Sequence, residues 1–254
     1  MPLVIETLLN KYGHRTTLRA IAVAMVLLTG PLIPLLKNRL PPSQSSAVTR
    51  TDWSFASKPL FFIYCTASIA QGLGFFFPSL FLPSYATSIG LSARQGAMLL
   101  SIMSAAQVVG QWTFGFLSDK FRLNYLVLLS TIVTAVVSFT CWGFAHDLGP
   151  LVVFSLLFGF FAYGFSSIRA RMGTAVSEEP TAALATFGAF TFCQGLGNVL
   201  AGPISAGLLS GGTKRESYGI ARYKSLIIFT GSSMLLSALS ISTWYICPRR
   251  LRAR

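Results

Sequence analysis

Nine polar side chains lie at helical spacing inside long apolar runs, where they can hydrogen-bond either to a solute or to a neighbouring helix. Ser104, Gln107 and Gln111 fall at i, i+3 and i+7 and share one helix face. Tyr64, Ser68 and Gln71 share a face in the same way, as do Thr191, Gln194 and Asn198. Polar groups within a membrane are costly and mark a substrate path by default. They also tie helices together, through hydrogen bonds worth about 0.6 kcal/mol each. For any single residue helix-tying is the first reading, whereas three stripes on three helices read as the lining of one polar cavity.

No constellation of catalytic residues accompanies them. The sequence holds no paired intramembrane carboxylates, no His-Glu-x-x-His, no Gly-x-Ser-x-Gly, and no Gly-rich phosphate loop closed by Lys-Ser/Thr. We therefore expect no enzyme and no cofactor. Cys65, Cys141, Cys193 and Cys247 lack C-x-x-C and Cys/His spacing, and they read as small packing residues, not as disulfides or metal ligands. His14 and His146 stand alone near predicted helix ends, so no metal site is expected.

The segments that position these residues follow from composition. With 53% hydrophobic and 11% charged residues, the 254-residue chain has too few polar side chains to cover a compact soluble fold. A hydrocarbon core of about 30 Å needs roughly 20 helical residues, and seven stretches meet that length: 18–36, 59–82, 95–117, 124–144, 150–168, 181–209 and 226–246. The expected fold is an all-α multispanning bundle. Its partner is the lipid bilayer, and the net charge of +13 belongs to basic loops facing anionic lipid, with no nucleic acid implied. Residues 2–9 are too short to span and read as an interfacial helix or the end of another span. Residues 1–10 lack a basic start and a small-residue exit, so no cleavable leader is expected.

Residues 37–58 are rich in Pro, Ser and Thr and form the longest polar stretch, a connector. The chain thus divides into 1–36, the linker 37–58, a six-span region 59–247 containing Gly72, Gly74, Pro78 and Pro83 in a bendable first helix, and a basic tail 248–254. With the tail inside, twelve Lys and Arg residues fall on the inner side and eight on the outer, in keeping with the positive-inside rule. Arg169 and Arg171 end the fifth span, near enough to the interface to snorkel, with anion binding as the alternative role. Glu178 and Glu179 precede Pro180, where acids suit a helix amino terminus.

The third span stops at Gly115-Phe116-Leu117-Ser118-Asp119-Lys120-Phe121-Arg122. This turn resembles the Gly-x-Leu-x-Asp-(Lys/Arg)-x-(Gly)-Arg signature of major facilitator transporters, with Phe121 where a small residue is usual. The resemblance implies a gating role for Gly115, Asp119, Lys120 and Arg122, with Asp119 pairing with its basic neighbours or with a facing helix end. Tyr12-Gly13-His14-Arg15-Thr16-Thr17-Leu18-Arg19, Leu99-Leu100-Ser101-Ile102, Phe158-Gly159-Phe160-Phe161, Gly195-Leu196-Gly197-Asn198 and Gly202-Pro203-Ile204 occur in the order of similar segments in the fungal monocarboxylate-porter branch.

On that likeness the seven spans are similar to helices six to twelve of such porters, and 37–58 is the central cytoplasmic linker. The implied activity is alternating-access transport of a small organic solute, at the plasma membrane. Most of the amino-terminal half would lie outside this chain, so the chain is a truncated form or needs a partner, either that half or another membrane chain. Gln107 and Gln111 match positions that carry an Asp and an Arg in the animal porters. Neutral amides cannot carry a proton or pair a carboxylate as an ion, which argues for a neutral or amphiphilic solute. The other readings are a seven-helix receptor and a non-transporting remnant or assembly partner.

Overall fold

The computed structural model describes residues 2–35, 53–209 and 220–246. Most of the linker, Cys247 and the basic tail lie outside the described residues. Seven helical stretches are long and apolar enough to cross a membrane, as the hydropathy predicts. Contacts divide the chain into two compact units, Met1–Arg50 and Thr51–Arg254.

The first unit is built on helix α1, Pro2–Thr29, followed by the tight helical turns Gly30–Leu35. Within α1 the short amino-terminal piece is separated from the spanning part by Gly13, whose φ of 75° is a left-handed conformation that glycine adopts without a Cβ penalty.

In the second unit the six spans begin with α2, Pro59–Phe75, and α3, Phe77–Ser88, which share one crossing broken at Phe76. Pro78 and Pro83 each lack the amide that would bond one turn back, so the break follows from the sequence. Helix α4, Ala93–Lys120, starts from a reciprocal cap in which the Gln95 amide donates to Ser92 Oγ (3.3 Å) and the Ser92 amide to Gln95 Oε1 (2.8 Å). Next come α5, Leu123–Val137, which runs into a π-helical turn at Ser138–Trp142, then α6, Leu148–Val176, α7, Pro180–Leu208, and α8, Ala221–Ile246.

The packing of these spans repeats. Helix α2 lies against α7 and α8, while α6 lies against α4 and α5, and α5 meets α8. The unit is therefore two three-helix repeats, α2/α3–α4–α5 and α6–α7–α8. Three crossings each bring the second repeat in from the opposite side of the membrane. The residues keep the same step: Ser68 and Ser155, Gly72 and Gly159, Ser104 and Thr191, Gln107 and Gln194, Gly110 and Gly197, Gln111 and Asn198 are equally spaced along the chain.

Hydrophobic burial does not drive helices together in lipid, so close packing must hold them. Four of these glycines provide it. A Cβ at Gly159 would stand 2.5 Å from the Met103 carbonyl oxygen, and one at Gly197 would stand 2.7 Å from that of Ile69. At Gly110 and Gly72 a Cβ would fall on the backbone carbonyls of Phe160 and Gln194. Hydroxyls are accommodated differently. Thr131, Thr134 and Ser138 on one repeat and Thr230 and Ser233 on the other bond carbonyls of their own helix, so they pack as if apolar. Ser237 instead crosses to the Ala67 carbonyl of α2 (3.0 Å).

Gly159→Leu should lower the thermal midpoint of the detergent-solubilised chain by at least about 4 °C, because the clash is with backbone that cannot step aside. Gly188→Leu, at a position with nothing within 4 Å, should leave it in place. Equal losses in the two variants would contradict the close-packing account.

Candidate functional site

The three polar stripes do not share one environment. On α2, Tyr64, Ser68 and Gln71 are all buried. Gln71 Nε2 donates to the Ala162 carbonyl of α6 (3.1 Å), and Gln194 Nε2 of α7 donates to Gln71 Oε1 (2.7 Å). Three helices are thereby joined at one buried amide pair. Tyr64 OH donates to Asn124 Oδ1 of α5, and its ring meets that of Phe190 edge-on at 5.8 Å. Ser68 Oγ is buried without a hydrogen-bond partner.

The remaining members are less enclosed. Thr191 is exposed and bonds back to the Phe187 carbonyl (2.9 Å), whereas Asn198 is half-buried with an unpartnered Oδ1. On α4, Ser104 is exposed and bonds back to the Leu100 carbonyl (2.8 Å). Gln107 and Gln111 are half-buried, and neither makes a hydrogen bond to another described residue. The contrast with Gln194 has a direct cause: Phe158 on α6 occupies the position that Gln71 holds on α2. By the same step, the position equivalent to that of Gln71 carries a benzyl group and no amide that Gln107 could bond. Of the nine polar residues, the structure joins Gln71 to Gln194 and leaves the Gln107–Gln111 edge of α4 with its donors and acceptors unused.

At the other end of α4, Asp119 pairs with neither Lys120 nor Arg122. Its partner is Arg171 near the end of α6, at 3.5 Å, and Arg171 also donates to the Ser118 carbonyl (3.3 Å). The two side chains are 68% and 51% exposed, so solvent holds this pair to about 0–1 kcal/mol. Lys120 lies over the Phe116 ring at 4.3 Å, Arg122 precedes α5 with an exposed side chain that makes no capping hydrogen bond, and Gly115 has open space around it. Lys58 donates to the Val176 carbonyl (2.7 Å), which closes the last turn of α6 and fastens it to α2.

Snorkelling does not describe Arg169 of α6. Arg171 is held by Asp119, and Arg169 is buried, its one hydrogen bond running to Ser166 Oγ at 3.4 Å. Sequence reasoning counted Arg171 only as a basic residue at a helix end, because a partner on a distant helix leaves no local trace. It passed over Asn124 altogether, although a polar side chain two residues past Arg122 at the start of a span was the available signal. Glu179 stands at the start of α7, where it accepts from Thr181 Oγ1 (2.6 Å). Cys65, Cys141 and Cys193 are free thiols.

The comparisons agree with this architecture. Residues 60–254 match the family model of the Major Facilitator Superfamily. The chain is 32% identical over 160 residues to the riboflavin transporter MCH5 of Saccharomyces cerevisiae, covering 61% of this chain and 29% of that protein. It is 28% identical over 190 residues to monocarboxylate transporter 2 of Mesocricetus auratus, covering 71% and 37%. It is also 28% identical over 243 residues to the agnestins efflux protein AgnL12 of Paecilomyces divaricatus, covering 94% and 53%. The chain spans about half the length of the curated relatives it matches over nearly all its own residues. Its paired three-helix repeats, the signature turn at Asp119 and the match over the six-span unit place it together with them: the chain belongs to the major facilitator superfamily.

Proposed function

We propose that this chain forms one wall of an alternating-access transporter, moving a small organic solute across the plasma membrane without chemical change. The observation that carries the reading is the unbonded amide edge of α4. Two glutamines at mid-span with no hydrogen-bond partner among the described residues are stable only against water or a polar ligand. Ser104, Thr191 and Asn198 extend the polar surface, and Gln71 with Gln194 is the brace that holds α2, α6 and α7 behind it. Tyr64 and Ser68 stand deeper, as support.

The solute class follows from what the edge lacks. Gln107 and Gln111 donate and accept hydrogen bonds but carry no charge, which suits a neutral or amphiphilic molecule better than a proton-coupled monocarboxylate. A relative named for riboflavin and another named for efflux fit that class and that membrane. The second wall comes from another six-helix unit, the amino-terminal half or a partner chain, because the superfamily's site lies between two halves. Asp119 and Arg171 form the latch between α4 and α6 that opens and closes with the rocking of the two halves, with Gly115, Lys120 and Arg122 shaping the turn.

Paired with the complementary half, Gln107→Ala with Gln111→Ala should raise the KM for the solute about tenfold while the protein melts normally. Gln71→Ala should do the reverse, lowering the thermal midpoint with a smaller effect on KM, since it strands the Gln194 amide in the core. Unchanged transport by the Gln107/Gln111 double variant would sink the site assignment. Asp119→Asn should slow transport severalfold and leave the melting temperature within about 2 °C, as expected for a surface pair of about 0–1 kcal/mol. A large loss of stability would instead make the pair structural. Solute binding without flux in the reassembled protein would favour a receptor.

A further inference from the structure

The two repeats differ at one further place. At the end of the bundle where α5 turns in from α8 and α3 closes on α6, Tyr85, Trp142, Leu151 and Tyr223 are packed without a gap. Tyr85 stands 5.5 Å from Tyr223 and 6.3 Å from Trp142, ring to ring, and its hydroxyl donates to the Ala145 carbonyl (2.8 Å). At the opposite end Tyr64 is at the position equivalent to Leu151, and near the start of α5 stands the short Asn124, where the bulky Tyr223 stands near the start of α8. There the structure leaves a pocket of about 370 Å³, bounded by the starts of α2 and α5 and the ends of α6 and α8.

The chemistry of this pocket favours an anion. Arg122 lines it and forms no ion pair with any described residue. Asn124 beside it is held through Oδ1 by Tyr64, which turns its amide N–H groups away from that bond, with no acceptor among the described residues. Trp244 and Tyr245 complete the rim, the aromatic types that settle at a membrane–water boundary. From the same rim the exposed apolar face of α5, with Tyr125, Leu129 and Val136, runs toward the membrane interior. The end is also basic, with Lys58, Lys120 and Arg171 as further cations among the described residues there.

We propose that this pocket binds the phosphate headgroup of an acidic phospholipid from the more basic, cytoplasmic side of the membrane. The phosphate oxygens accept from the Arg122 guanidinium and the Asn124 amide, and the acyl chains lie along α5. The site stands apart from the α4 edge, on the α5 side of the unit, so it is a lipid site and not part of the solute path.

The test is lipid retention by the purified chain, read by native mass spectrometry after exchange into detergent containing dioleoyl phosphatidylserine or dioleoyl phosphatidylcholine. The chain should keep one phosphatidylserine in preference to phosphatidylcholine. Arg122→Gln and Asn124→Leu should each lower that retention about tenfold, the worth of one charge-assisted hydrogen bond. Arg122→Lys should keep most of it, and Lys120→Gln, a cation outside the pocket, should keep all of it. Arg122 is exposed, so its replacement is compatible with folding, which circular dichroism would verify. Equal retention of the two lipids, or full retention by Arg122→Gln, would overturn the proposal. Displacement of phosphatidylserine by excess inorganic phosphate would also overturn it, by assigning the pocket to the free anion.

Discussion

Everything in the six-span unit depends on the closeness of two helix pairs, α2 with α7 and α4 with α6, at four glycines. In lipid the hydrocarbon around a helix is as apolar as its own side chains, so association rests on dispersion contacts and on the few hydrogen bonds that cross. Gly72, Gly197, Gly110 and Gly159 remove the one atom that would hold the backbones apart. Because the same step along the chain relates them, one packing solution is used twice, inverted across the membrane.

Once the packing is symmetric, the function lies in its departures from symmetry. Gln194 and Gln107 stand at equivalent positions, but Gln194 finds Gln71 across the interface, whereas the equivalent of Gln71 on α6 is Phe158, which offers Gln107 no hydrogen bond. One amide is spent inside the half as a brace. The other makes no hydrogen bond to a described residue. The bundle ends differ in the same manner, one sealed by Tyr223 and Trp142 and the other opened by Asn124. Across α4 and α6 the weak, exposed Asp119–Arg171 pair lies at the end of two helices whose backbones approach closely at Gly110 and Gly159.

Much of this was legible in the residues. The spans follow from uninterrupted apolar length, the break at Phe76 from Pro78 and Pro83, and the turn after α4 from Gly115 and Asp119. The polar stripes were also visible, since i, i+3, i+7 spacing fixes which side chains share a face. What that spacing cannot convey is the identity of the facing helix. Gln107 and Gln194 have equal local patterns and unequal fates because Phe158 and Gln71, far off in sequence, stand opposite them. For the same reason the sequence leaves Asp119 open between its basic neighbours and a facing helix end without naming Arg171, and it puts Arg169 at the interface and not in the core. Periodicity locates a face, and only packing says whether it meets protein, lipid or water.

The central claim is that the Gln107–Gln111 edge of α4 faces a polar path. Its most direct test is the water accessibility of that edge in native membranes, with the four native cysteines replaced by Ser and single cysteines placed at Gln111, at Ser104 and, for contrast, at the exposed apolar Val136 of α5. A membrane-impermeant charged thiol reagent should modify Gln111→Cys and Ser104→Cys and spare Val136→Cys. If Gln111→Cys resists the reagent as Val136→Cys does, the edge faces lipid or packed protein and the account of the solute wall is wrong.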